Sequence, residues 1–89
     1  MHESSLMAGL LAGIEKAGRG ARVTAVRVRI GALAGISAEH FAEHFRLAAP
    51  GTPAEGAQLH VAVADDVVSE DAQSIRLESI DVEEAETGS

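Results

Sequence analysis

The chain has 89 residues, 14 acidic and seven basic, for a formal charge of −7, and it contains no cysteine, tryptophan or tyrosine. A chain this short predicts one domain that buries about 60% of its unfolded surface, with neither disulfides nor thiolate zinc clusters to staple it. So acidic a surface repels phosphate, and two phenylalanines offer little for base stacking, which argues against nucleic acid as a partner. The beginning lacks a basic segment, and Glu15 and Lys16 interrupt its apolar stretch, so no signal peptide or membrane span is expected and the expected location is the cytoplasm.

From Ser5 to about Ala17, apolar residues at Leu6, Met7, Leu10, Leu11, Ile14 and Ala17 keep the i, i+3/i+4 spacing of an amphipathic helix. Ser4 or Ser5 is the expected N-cap, and Gly18 and Gly20 supply the stop. Gly9 and Gly13 fall inside this helix, each at a cost of about 1 kcal/mol relative to Ala, so the helix must rely on packing. Arg22–Ile30 alternates, with Val26, Val28 and Ile30 on one face and Ala25, Arg27 and Arg29 on the other, the pattern of a half-buried strand.

Residues 31–35, Gly-Ala-Leu-Ala-Gly, form a loop, and Ser37 caps a second helix running to about Leu47. Phe41, Phe45 and Ala48 make its apolar stripe, and Pro50-Gly51-Thr52-Pro53 ends it. Leu59, Val61 and Val63 alternate with His60 and Ala62 in a second strand, and an acidic loop follows from Asp65 to Ser74. The last strand, Ile75–Glu83, is apolar at 75 and 77 and then at 80 and 82, a slip of phase that predicts a bulge between Glu78 and Ser79. Residues 84–89 read as a frayed tail.

The order α-β-α-β-β predicts an α+β fold of two layers, with both helices on one face of a three-stranded mixed sheet. The central β-α-β unit implies a right-handed parallel crossover. Arg27, Arg29 and His60 then share the open face.

Three groups of residues bear on chemistry. Met1-His2-Glu3 offers a terminal amine, backbone amide nitrogens and an imidazole within one short stretch, a nitrogen-rich set that suits square-planar Ni(II) or Cu(II). His40-Phe-Ala-Glu43-His44 matches H-x-x-E-H, in which two histidines on one helical face hold zinc. A catalytic zinc needs a third ligand and a cleft, so the pair reads instead as a solvated face with Glu39 and Glu43, or as an auxiliary metal site. Arg27 and Arg29 have the reach to clamp an anion, but strand charges balanced by neighbouring acids are the simpler reading. The serines look like caps rather than nucleophiles, and no glycine-rich phosphate loop follows a strand, so no enzyme is expected.

Met1-His2-Glu3 with Ser5-Leu6, the run Val26-Arg27-Val28-Arg29-Ile30-Gly31-Ala32-Leu33-Ala34-Gly35-Ile36, then Gly51-Thr52, Ala54-Glu55-Gly56-Ala57 and Leu59, and finally Ser79-Ile80-Asp81-Val82-Glu83, occur in order across nearly the whole chain. This series resembles the HypA/HybF family of nickel–iron hydrogenase maturation proteins. The resemblance implies a non-enzymatic accessory protein that takes Ni(II) at its N-terminus and passes it, with a nickel-handling GTPase, to the hydrogenase large subunit. It implies a nickel site made of the Met1 amine, the His2 imidazole and backbone amides near residue 3, with Glu3 also involved. The same family fold has two helices against three strands, with nickel at the start of the first helix.

The family normally inserts a zinc domain with two Cys-x-x-Cys motifs between its second and third strands, where this chain has only Asp65 to Ser74, so no zinc is expected. Ser4 and Glu43-His44 stand at positions that are usually apolar in the family. With the zinc domain gone, the alternative to metal delivery is a scaffold that retains only partner docking.

Overall fold

The alternation of Val23–Ile30 places this segment, β1, at the centre of a three-stranded sheet of order β2-β1-β3. The structure, a computed structural model, describes residues 3–68 and 72–83, with side chains from Met7 onward. Its elements are α1 (Glu3–Gly18), β1 (Val23–Ile30), α2 (Ala38–Ala48), β2 (Gln58–Val63) and β3 (Ile75–Val82). β2 lies parallel to β1 and β3 antiparallel to it, so the expected α+β order and mixed sheet are what the chain forms. Met1, His2, the tail from residue 84 and part of the acidic loop, residues 69–71, lie outside the described residues.

Val26, Val28 and Ile30 are sealed against Met7 and Ile14 of α1 and Phe41 and Phe45 of α2, so both helices cover the same face. This burial is the main source of stability, at roughly 25 cal/mol per Å² of apolar surface removed from water. Val23 joins the same cluster although strict alternation assigns it to the face of Ala25. Val23 and Ala25 oppose Val82 and Asp81, which leaves Thr24 as an extra residue and turns Val23 back toward the helices. Ala25 is buried as well, but outside the main cluster.

The bulge expected in β3 is present. Arg27 opposes Ser79 and Val28 opposes Leu77, so Glu78 has no opposite number. The extra residue keeps Ile75, Leu77 and Ile80 packed against the core on both sides of the slip.

Helix α1 begins two residues earlier than expected, so Ser4 and Ser5 lie within its first turn rather than at its cap. The first N–H groups of a helix have no intrahelical acceptor, which makes hydroxyl residues tolerable there. Its other end also differs. Gly18 is the last helical residue, and the left-handed position falls on Arg19, at φ 56°, followed by Gly20 at φ 81°. Gly20 N–H donates to the Glu15 carbonyl and Arg19 N–H to the Lys16 carbonyl, each at 3.2 Å, which is the Schellman pair of hydrogen bonds. A Cβ on Gly18 would meet Val82, Ile80 and Val23 side chains at 3.4–3.5 Å, so the helix ends against the start of β1 and the end of β3.

Helix α2 carries the expected cap, with Ser37 Oγ accepting from His40 N–H at 3.1 Å. The segment after it is a compact turn. Thr52 Oγ1 donates to the Ala49 carbonyl at 2.7 Å and accepts from Ala54 N–H at 3.1 Å, while the Glu55 carboxylate accepts from Gly51 N–H at 3.1 Å. Ala54 is fully buried, and Val23 N–H donates to the Pro53 carbonyl, so the turn ties the end of α2 to the start of β1.

At the opposite end of the sheet, Gly31 N–H donates to Ser74, Leu33 N–H to Ala72 and Ala64 N–H to Ile30, which pins both ends of the 64–74 connection beside the exit of β1. Ala72 is buried, so the connection is partly packed rather than wholly solvated. Because α1 ends where β1 begins and α2 begins where β1 ends, both helices run antiparallel to β1. The starts of α1 and α2, the loop 31–35 and the 64–74 connection therefore share one end of the sheet.

Candidate metal centre

Helix α1 opens at Glu3, the last residue of the Met1-His2-Glu3 stretch. Met1, His2 and the side chain of Glu3 are outside the described residues, but the backbone position of Glu3 has chemical consequences. The first four N–H groups of an α-helix have no carbonyl partner within it. An amide nitrogen there can lose its proton to a metal without breaking a helical hydrogen bond.

His40 and His44 project from α2 one helical turn apart, with ring centroids 4.5 Å apart and planes inclined at 30°. His40 is exposed, while His44 is half-buried and lines a cleft of about 380 Å³ between the two helices with Met7, Ala8, Leu11, Leu47 and Ala48. The expectation of a fully solvated histidine face thus holds for His40 and not for His44. Leu47 is 72% exposed at the rim of the same cleft. Among the described residues no group of three or more His, Asp or Glu converges to hold a metal, so H-x-x-E-H here lacks the third ligand of a catalytic zinc site.

The open face of the sheet carries charge, as its alternation requires. Arg27 sits between His60 on β2 and Ser79 on β3. Its guanidinium grips Asp81 with two parallel bonds, NH1 to Oδ1 at 3.2 Å and NH2 to Oδ2 at 3.0 Å, and NH1 also reaches Ser79 Oγ at 3.4 Å. That hydrogen bonding, then the guanidinium's charge, holds the Asp81 carboxyl below the usual carboxylate range, with a small further lowering from His60. The same partner raises Arg27. Arg29 Nε donates to Glu78 Oε2 at 2.9 Å, its acceptor being the bulge residue itself. Both arginines are engaged within the sheet, as expected of balanced strand charges, and do not form an anion clamp.

Sequence reasoning did not single out Asp81 and Glu78 as the partners, because these pairings follow from the register of β3, whose bulge at Glu78 sets Asp81 diagonally across from Arg27. It also missed the cleft between the helices, whose signal was Leu47, an apolar residue off the Phe41/Phe45 stripe.

No curated protein matches the chain. No helix among the described residues is long and apolar enough to cross a membrane. The model of the HypA family, described as hydrogenase/urease nickel incorporation metallochaperone, matches residues 1–82. That span includes the Met1-His2-Glu3 opening, all five secondary-structure elements and the short connection between β2 and β3. The chain belongs to the HypA family, whose role is nickel incorporation during hydrogenase or urease maturation.

Proposed function

We propose that this chain is a non-enzymatic nickel carrier that takes Ni(II) at Met1-His2-Glu3 and hands it on without a zinc module. The Met1 amine, the His2 imidazole and the amide nitrogens of residues 2 and 3 supply a planar nitrogen set, and Glu3 supplies a carboxylate nearby. The carrying observation is that α1 starts at Glu3, whose backbone N–H has no acceptor within the helix. The family match beginning at residue 1 supports the same assignment. Nitrogen donors of this kind suit Ni(II), and no thiolate competes for it, because the chain has no cysteine.

The receiving partners on this reading are a nickel-handling GTPase and the hydrogenase large subunit, in the cytoplasm. The end of the sheet shared by both helix starts is the surface for the exchange. Binding must displace protons from the amine and the imidazole, so nickel affinity falls on acidification. The test is Ni(II) titration of the untagged chain followed by d–d absorption. A square-planar spectrum at one equivalent is expected, and it should disappear when residues are added ahead of Met1. Persistence of that spectrum with the amine blocked contradicts the proposal.

A further inference from the structure

Exposed apolar side chains are not spread evenly over the molecule. Among the described residues six large ones are exposed, and four of them, Leu33, Val63, Val67 and Val68, stand at the end of the sheet where both helices start. Single exposed apolar residues are ordinary, whereas several gathered at one place mark a surface that another molecule covers. Val68 is the most open, at 86%. The backbone keeps the four together. Ala64 N–H donates to the Ile30 carbonyl and Leu33 N–H to the Ala72 carbonyl, so Val67 and Val68 lie within four residues of Ala64, about 13 Å of extended chain at most. Asp66 Oδ1 accepts from Val68 N–H at 3.0 Å, which closes a turn at the two valines.

The charge around this patch has one sign. Residues 31–45 and 64–74 contain no lysine or arginine, and Glu39, Asp65 and Asp66 are exposed there. Lys16 and Arg46 lie in the last turns of α1 and α2, at the other end of the sheet. Arg29 and Arg76 belong to the open face, where they oppose each other across β1 and β3, and Arg29 is tied to Glu78. A second copy of the chain would set these acids against their own like. A surface with an apolar centre and a basic rim matches the patch in both respects.

We infer that Leu33, Val63, Val67 and Val68 form the centre, and Glu39, Asp65 and Asp66 the rim, of a docking surface for a partner protein that presents apolar side chains ringed by lysine or arginine. The inference rests on the proposed function, in that the partner is a protein that receives the nickel at this end of the sheet. The valines supply the apolar contact and the acids steer the encounter.

Binding of the untagged full chain to the purified nickel-handling GTPase and to the purified hydrogenase large subunit, each immobilised on a biosensor, tests it. At least one of the two is expected to bind the parent, and Val67→Ser with Val68→Ser to weaken that binding at least about tenfold. Leu47→Ser removes an exposed apolar side chain outside the patch and is expected to leave it unchanged. Asp65→Asn with Asp66→Asn is expected to slow association and flatten its dependence on salt, while the amide oxygen preserves the acceptor for Val68 N–H. Far-UV melts confirm that each variant is folded. Binding of neither protein, or binding unaltered by the two valine substitutions, overturns the inference, as does a parent that dimerises through these valines in sedimentation. The d–d nickel spectrum of the same chains separates the two readings: with the spectrum present, unaltered binding refutes the docking surface alone, and a parent without the spectrum refutes the nickel proposal.

Discussion

Helix α1 has glycine where its backbone does not need it. Gly9 and Gly13 lie inside the helix, and a Cβ built on either has nothing within 4 Å, so neither permits a close approach within this chain. Replacing an interior helical glycine by alanine removes excess freedom from the unfolded chain and raises helix propensity, together about 0.5–1 kcal/mol per site. The Gly9→Ala/Gly13→Ala chain should therefore gain about 1–2 kcal/mol. For a domain of this size each kcal/mol moves the midpoint by about 4–8 °C, so Tm should rise by about 4–16 °C. Far-UV circular dichroism is the suitable probe, because the chain has no tryptophan or tyrosine to report on packing. A midpoint equal to or below the parent's refutes the reasoning. It would mean that the space beside Gly9 and Gly13 is not open in the folded chain.

Two other substitutions and one deletion test particular joints of the fold. Arg19 occupies the left-handed position of the Schellman turn, where an L side chain is strained, so Arg19→Gly should stabilise the protein by about 0.5–1 kcal/mol; a loss of stability in urea melts contradicts that turn. Asp81 titrates below its usual range when folded, so its pairing with Arg27 contributes stability above the unfolded-state value and loses it as pH falls through the folded one. Asp81→Asn should thus weaken the fold slightly near about pH 7 and narrow the stability difference between about pH 7 and about pH 3; an unchanged acid dependence refutes the pairing. Deleting Glu78 removes the bulge and leaves Leu77 and Ser79 opposite Val28 and Arg27 as before, so the deletion should fold, at a loss of about 1 kcal/mol for the Arg29 ion pair. Loss of the far-UV helix and sheet signal in this deletion contradicts the register.

The parts of the fold legible in the sequence were those set by hydrophobic period and local chemistry. The alternation of β1, the Ser37 cap and the phase slip at Glu78 each depend on neighbours in the chain, and all three stand in the structure. The rest depends on contacts distant in sequence. Val23 is buried because an extra residue, Thr24, faces β3, and no pattern within β1 alone reveals that. Ala54 is buried because the Thr52 and Glu55 turn folds under the start of β1, although its composition reads as an ordinary loop. Arg19 takes the left-handed position ahead of the available Gly18 because Gly18 is held against Val82, Ile80 and Val23.

The candidate site divides in the same way. His40 and His44 were recognisable from their spacing, but the cleft beside His44 arises only from the apposition of α1 and α2. The charged face of β1 was readable as charged, whereas the partners of Arg27 and Arg29 follow from the β3 register. Met1-His2-Glu3 was legible from donor chemistry and from its resemblance to the family. The structure adds that α1 starts at Glu3, where the backbone N–H has no acceptor within the helix.

The central claim, nickel capture by the N-terminal tripeptide without a zinc module, is tested most directly by Ni(II) calorimetry of the untagged parent against His2→Ala in a zinc-free buffer. A tight site of one nickel per chain is expected in the parent and is expected to be lost in His2→Ala. Equal tight affinity in the two proteins contradicts it.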